Sequence, residues 1–213
     1  MEVICTGEQF RRFVVGHQKR LVWLAGRIGD WAAGCEKPPA VVLDIDEVLL
    51  CNVRRPGLGA CGPHAGRRIL ADAASLPVFY DPIGDVWGTA WRQLGDNPTD
   101  ATEPLDPAYP GAQEVISAAR DAGVRVFLVS GRARSILPET AANFARLGGA
   151  IALIDFGDVF HCPDECIDDP STFKTGCRHE IAKKFTIVAN VGDQLTDLGV
   201  GGLRQIWFPQ PFY

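Results

Sequence analysis

The run Ala40-Val41-Val42-Leu43-Asp44-Ile45-Asp46-Glu47-Val48-Leu49-Leu50 constrains this chain more than any other stretch. An apolar segment of this kind reads as a strand buried on both faces, as in the interior of a parallel sheet. It delivers two carboxylates, Asp44 and Asp46, to the point where such a strand ends. Acids at the mouth of a buried strand are costly unless something cationic meets them.

The rest of the chain supplies the setting. Its 213 residues, 46% hydrophobic and 22% charged, suffice for one sizeable core and are expected to form a single domain, 1–213. The net charge of −5 comes with no basic stripe, which excludes nucleic acid as a structural partner and leaves it only as a substrate end. Seven cysteines, an odd number in a chain too long to need disulfides, read as reduced thiols in a cytoplasmic protein. No apolar run approaches the roughly 18 residues of a membrane span, so no membrane partner is expected. Leu21–Ala25 follows Lys19-Arg20, but it is too short for a signal peptide and is broken at once by Arg27 and Asp30.

Residues 6–33 read as an amphipathic helix within an N-terminal helical extension, 1–37. Thr6 and Gln9 offer a capping box, and Phe10, Phe13, Val14, His17, Leu21, Leu24 and Ile28 share a face. A strand over 40–46 follows. Residues 51–110 hold Gly and Pro repeatedly together with Phe79, Tyr80, Trp87, Trp91 and Tyr109; they read as a substrate-facing insert with short helices over 65–75 and 84–94. Beyond Pro110-Gly111 the pattern turns regular. Helices are expected over 112–122, 138–147 and 174–185, and strands over 124–129, 151–156, 186–191 and 205–208, with a turn at 130–132. Strands alternating with helices imply an α/β fold, a parallel sheet with helices on both faces.

In such sheets ligands bind outside the carboxyl ends of the strands. Asp44 and Asp46, then Ser130, then Asp193 stand at three of these ends, and Lys174 joins them from a helix start. Three carboxylates with few basic groups suit a hard dication such as Mg²⁺. That ion, Lys174, the Ser130 hydroxyl and nearby backbone N–H groups would bind a phosphoryl group. A carboxylate can attack phosphorus to give an aspartyl phosphate, while a second acid protonates the leaving oxygen and then activates water.

Four stretches now carry a resemblance. Asp44-Ile45-Asp46-Glu47-Val48, Ser130-Gly131-Arg132 after an apolar strand, Lys174 in Phe173-Lys174-Thr175-Gly176, and Gly192-Asp193-Gln194-Leu195-Thr196-Asp197 resemble the four motifs of the haloacid dehalogenase (HAD) superfamily of aspartate-nucleophile phosphatases. Tyr109-Pro110-Gly111-Ala112, Thr140-Ala141-Ala142-Asn143-Phe144 and the tail Trp207–Tyr213 are similar to the acid phosphatase subgroup that includes plant vegetative storage proteins and bacterial acid phosphatases. The resemblance spans roughly residues 38–213. It implies a Rossmann-like HAD core with a small cap or none, and a Mg²⁺-dependent hydrolase of small phosphorylated substrates. It makes Asp44 the nucleophile and a Mg²⁺ ligand. Asp46 becomes the general acid/base, with its backbone carbonyl on the metal. Asp193 becomes a metal ligand, Asp197 its support from behind, and Ser130, Gly131 and Lys174 the phosphate-binding groups. Val48 stands where Thr is commoner. Many members of the subgroup are exported, whereas no export signal is read here.

A phosphotransferase, a nucleic-acid- or protein-end phosphatase, or a non-catalytic storage or binding homologue would share this core. The storage alternative requires loss of the nucleophile or the metal acids, and none is lost. His161, Cys162, Cys166, Cys177 and His179 match no common zinc spacing, and thiols without metal are the expectation. Trp87 and Trp91 either clamp an aromatic leaving group or pack the insert. Arg132 either assists the phosphate or pairs with an acid. Glu47 is expected to be a non-catalytic polar residue, Asp168-Asp169 a solvated loop, and His64 a loop residue without a role.

Overall fold

The computed structural model describes residues 3–5, 7–51, 68–70, 108–166, 170–199 and 201–209, with side chains described from Arg12 onward except at 68–70. In chain order the elements are β1 (Val3–Cys5), α1 (Gly7–Ala32), β2 (Pro39–Leu43), β3 (Arg68–Leu70), α2 (Ala112–Asp121), β4 (Arg125–Ala133), α3 (Leu137–Leu147), β5 (Val159–Cys162), α4 (Pro170–Lys184), β6 (Thr186–Gly192) and β7 (Gln205–Trp207). β1 and β3 form a separate parallel pair, while the main sheet has five parallel strands in the order β5-β4-β2-β6-β7.

The apolar run thus becomes the central strand. Leu43 lies level with Leu128 of β4 on one side and with Val191 of β6 on the other. Alternate residues of a strand face opposite ways. Val41 and Leu43 enter a core shared with Val14, Leu21, Leu24 and Ile28 of α1, Val115, Ile116 and Ala119 of α2, and Phe144 of α3. Ala40 and Val42 face the other way, onto Phe127, Val129 and Ile187 beneath Ile181 of α4. Each fully buried Leu, Ile or Val contributes about 1.5–3 kcal/mol, so covering both faces fixes β2 in place. α1 presents positions 14, 17, 21, 24 and 28 as one buried stripe. Gly111 lets α2 begin close against α1: it has φ 96°, and a Cβ there would lie 2.8 Å from that of Leu21.

From β2 the chain builds outward to β4 and β5, then returns across β2 to β6 and β7. The reversal falls between β2 and β6, the position where open α/β sheets leave a crevice.

Several expectations shift. The strand expected over 151–156 is instead a pair of 3-10 turns, Ile151–Leu153 and Phe156–Asp158, because the Asp155 side chain accepts from the Gly157 N–H at 2.9 Å and turns the chain. The strand itself is Val159–Cys162. The turn expected at 130–132 continues as β4 to Ala133, with the pairing to β5 slipping between Ser130 and Ala133. α4 starts at Pro170, which lacks the N–H that a first helical residue leaves unused. Lys174 is therefore one turn inside the helix. Within the helix expected over 65–75, Arg68–Leu70 is a strand, since a parallel partner at Val3–Cys5 overrides local preference. The helix expected over 84–94, Thr6 of the capping box, His64, Phe79, Tyr80, Trp87, Trp91, Asp168, Asp169 and residues 210–213 lie outside the described residues. No helix among the described residues is long and apolar enough to cross a membrane.

Candidate active site

Three adjacent strands, β4, β2 and β6, bring Ser130, Asp44 and Asp193 to one edge of the sheet, and α4 brings Lys174 across it. Asp44 follows directly on β2, its backbone N–H donating to Val191 O at 2.9 Å, and the residue is buried. One carboxylate oxygen, Oδ1, accepts from the Ile45 N–H at 2.9 Å, and Oδ2 accepts from Lys174 Nζ at 3.2 Å. Lys174 also donates to Asp197 Oδ1 at 2.5 Å.

Burial first, then the charges of Asp197 and Asp46, push the Asp44 carboxyl up to about 7, although Lys174 pulls the other way. Burial would lower the Lys174 ammonium, yet the carboxylates of Asp44 and Asp197 hold it above its ordinary value. Lys174 is therefore held as the ammonium, and its charge favours the Asp44 carboxylate against those of Asp197 and Asp46.

Asp46 takes a different partner. Residues two apart on a continuous strand share a face. Here sheet pairing stops at Leu43, and the chain winds through Ile45–Leu50, where the Leu49 and Leu50 N–H groups both donate to Ile45 O. The Asp46 carboxylate accordingly meets Arg132, with Nε at 3.0 and 3.1 Å and Nη2 at 2.6 Å. Ser130 Oγ lies 3.4 Å from Asp46 Oδ2 and accepts from the Arg132 N–H at 3.0 Å. Gly131 lies against Pro170 and Lys174 of α4, with room for a Cβ at ordinary contact distance.

The loop that turns Asp46 is anchored on both sides. Glu47 is the one described non-glycine residue with positive φ, 60°, and its buried carboxylate accepts from Tyr109 OH at 2.5 Å. Behind it His17 stacks on Tyr109 at 4.0 Å, and His17 Nε2 lies 2.8 Å from Val48 O. Glu47 therefore ties the loop to Tyr109.

Asp193 and Asp197 come from the turn after β6. Trp207 Nε1 donates to Asp193 O at 2.9 Å, and the Gln194 N–H donates to Asp197 Oδ2 at 3.0 Å. Gly192, directly before Asp193, has no room for a side chain, since a Cβ there would overlap the Asp197 Cβ and Cγ. One carboxylate oxygen each of Asp44, Asp193 and Asp197 lies within 4.8 Å of the others, and all three residues are buried. Carboxylate oxygens so gathered are the donors a hard divalent cation takes, Asp44 and Asp193 supplying them while Asp197 is held by Lys174 and the Gln194 N–H. Among the described residues no other group of His, Cys, Asp and Glu is so gathered, and His161, Cys162, Cys166, Cys177 and His179 form none. Cys162 instead donates to Cys166 O at 3.3 Å.

All seven expected site residues, Asp44, Asp46, Ser130, Gly131, Lys174, Asp193 and Asp197, fall at this edge. The sequence left Arg132 undecided, and it pairs with Asp46. It passed over Arg178, which is 1% exposed, donates to Thr196 O at 2.9 Å and lies 3.6 Å from Asp197 Oδ1. Its spacing of four from Lys174 on one helix was the available signal.

A family profile described as "HAD superfamily, subfamily IIIB (Acid phosphatase)" matches residues 101–213, just over half the chain. That span holds Ser130, Lys174, Asp193 and Asp197, while Asp44 and Asp46 precede it. The structure is similar to that of the class C acid phosphatase from Bacillus anthracis, at 22% identity and TM-score 0.57, covering 96% of this chain and 79% of that one. It is also similar to the class C acid phosphatase from Bacillus anthracis with tungstate bound, at 20% identity and TM-score 0.56 over the same shares. Identities this low speak for the fold alone. Among curated proteins, no sequence matches significantly.

Proposed function

The chain belongs to the HAD superfamily, subfamily IIIB, the acid phosphatases, and from that membership we propose a Mg²⁺-dependent phosphomonoester hydrolase whose nucleophile is Asp44. The observation that carries the reading is the convergence of Asp44, Asp193 and Asp197 within 4.8 Å, with the Lys174 ammonium bonded to both Asp44 and Asp197.

Asp44 and Asp193 would hold the cation together with the Asp46 backbone carbonyl. When bound, the ion supplies charge neutralisation for the phosphoryl oxygens and for Asp44. Asp197 is committed elsewhere: it takes Lys174 on one oxygen and the Gln194 N–H on the other, which suits a support of Lys174. Lys174, the Ser130 hydroxyl and the backbone at Gly131 grip the phosphoryl oxygens. Lys174 reaches them from a rigid helix, so it stabilises developing charge without reorganising. An oxygen of Asp44 attacks phosphorus as the ester oxygen leaves, and Asp46 gives that oxygen a proton. Water then attacks the phosphoaspartate, losing its proton to Asp46, and Asp44 is regenerated.

The substrates are small phosphate monoesters or exposed ends of larger ones, and the residues a storage homologue would lose are all present. A cytoplasmic setting belongs to the same proposal and rests on the odd number of cysteines, seven, in a chain long enough to build its core without disulfides. The test is direct: purified protein hydrolyses p-nitrophenyl phosphate with Mg²⁺ and stops in EDTA. Undiminished activity in EDTA overturns the metal reading.

A further inference from the structure

Thr140 and Asn143, in the Thr140-Ala141-Ala142-Asn143 stretch of α3, have no part in the chemistry above, yet each is 1% exposed. A hydroxyl is placed in such surroundings only with partners. Thr140 Oγ1 donates to Ile136 O at 3.2 Å, which leaves its lone pairs to accept from Arg132 Nη1, also at 3.2 Å. On its other edge the same guanidinium meets Asp46 through Nε and Nη2, the shortest contact being 2.6 Å. The Arg132 and Asp46 side chains are 8% and 13% exposed.

A guanidinium is planar, and pinning it on opposite edges fixes both its plane and its direction. Of the two guanidinium edges that could grip a phosphoryl group with paired bonds, Nε/Nη2 is already on Asp46, and Nη1 of the other is on Thr140. We infer that Arg132, braced by Thr140, is a positioning residue that orients the Asp46 carboxylate for hydrolysis of the phosphoaspartate, rather than a group that binds the phosphoryl oxygens. This rests on the reading of Asp44 as nucleophile and Asp46 as the proton-handling group.

In that step a water oxygen bonds to phosphorus and its proton passes to the Asp46 carboxylate. The bond from phosphorus to the Asp44 oxygen breaks, its electron pair returns to Asp44, and inorganic phosphate departs. A carboxylate held by a bidentate cation accepts a proton along a fixed lone-pair direction. One that rotates freely meets the water in many unproductive poses.

Rapid-quench mixing with p-nitrophenyl phosphate and Mg²⁺ separates the two halves, because p-nitrophenolate leaves without needing a proton. Arg132→Lys is expected to form phosphoenzyme at a rate within about threefold of the parent, with KM little changed. Its decay should slow by about 10²-fold or more, the scale of a misplaced general base. Thr140→Val should show the same pattern more weakly, and Thr140→Ser should restore the decay rate. This pair carries the test if Arg132→Lys fails to fold by circular dichroism. Asp46→Asn is the control for the underlying reading: if its phosphoenzyme does not accumulate, that reading fails and the inference with it. If it does accumulate, while Arg132→Lys or Thr140→Val raises KM and slows phosphoenzyme formation without slowing decay, the inference alone is overturned.

Discussion

Lys174 holds its ammonium 3.2 Å from Asp44 Oδ2, with both side chains 4% exposed. Lys174 also bonds Asp197, so it is the shared cation of two buried carboxylates. Removing one partner of a buried pair strands the remaining charge, at a cost of about 3–5 kcal/mol. Lys174→Met should therefore lower unfolding stability by about that amount, read by urea denaturation without divalent ions. Adding Mg²⁺ should recover part of the loss, while turnover stays low because the phosphoryl-gripping cation is gone.

The same carboxylate gives a pH dependence. Asp44 lies at about 7 in the folded, metal-free protein, against an unperturbed value of 3.8. A raised carboxyl binds its proton more tightly when folded. Its contribution is full below 3.8 and is lost as pH rises through about 7. Metal-free stability should thus carry a falling component across that window. A divalent ion competes with the proton for Asp44, so Mg²⁺ should raise the melting temperature more near pH 8 than near pH 5. An equal shift at both pH values would contradict Asp44 as a ligand.

The sequence predicts the strand ends well because their signal is local. A short apolar run, bounded by turn residues and followed by an acid, reads as a buried strand meeting a polar edge; this holds for Val41–Asp44 and, with Asn190 inside it, for Val188–Asp193. Lys174 is legible from its motif. The pairing of Arg132 with Asp46 spans 86 positions in sequence and depends on how β4 continues past Ser130, which no local pattern records. The stretch 151–156 misleads for a related reason. Its residues favour a strand, but Asp155 and Gly157 make a turn, and the edge of the sheet waits for Val159.

His17 carries a slope of the opposite sign. Burial holds its imidazole down at about 4, against 6.5 when exposed, despite the hydrogen bond to Val48. A depressed histidine contributes stability that is present above 6.5 and lost as pH falls through 4. His17→Phe keeps an aromatic ring against Tyr109 and Phe208 but cannot titrate. Melting curves of this variant should show a smaller acid-side loss over that interval than those of the parent, and a parallel pair of profiles would refute the assignment.

Gly192 admits no side chain. Gly192→Ala drives a methyl group into Asp197, between the turn that carries Asp193 and the partner that holds Lys174. Overpacking of this kind costs about 1–3 kcal/mol. The expected signature is a lowered melting temperature together with weakened Mg²⁺ binding by titration calorimetry. Loss of stability with unchanged metal affinity would show that the turn and the metal acids are not coupled.

The claim on which everything else depends is that Asp44 becomes phosphorylated. Acid quenching during turnover of p-nitrophenyl phosphate, followed by peptide mass spectrometry, should find one added phosphoryl group on the peptide containing Asp44, sensitive to hydroxylamine as an acyl phosphate is. The group should be absent from folded Asp44→Asn protein, which should not turn over. A phosphoryl group on another residue, or full activity in Asp44→Asn, would contradict the account.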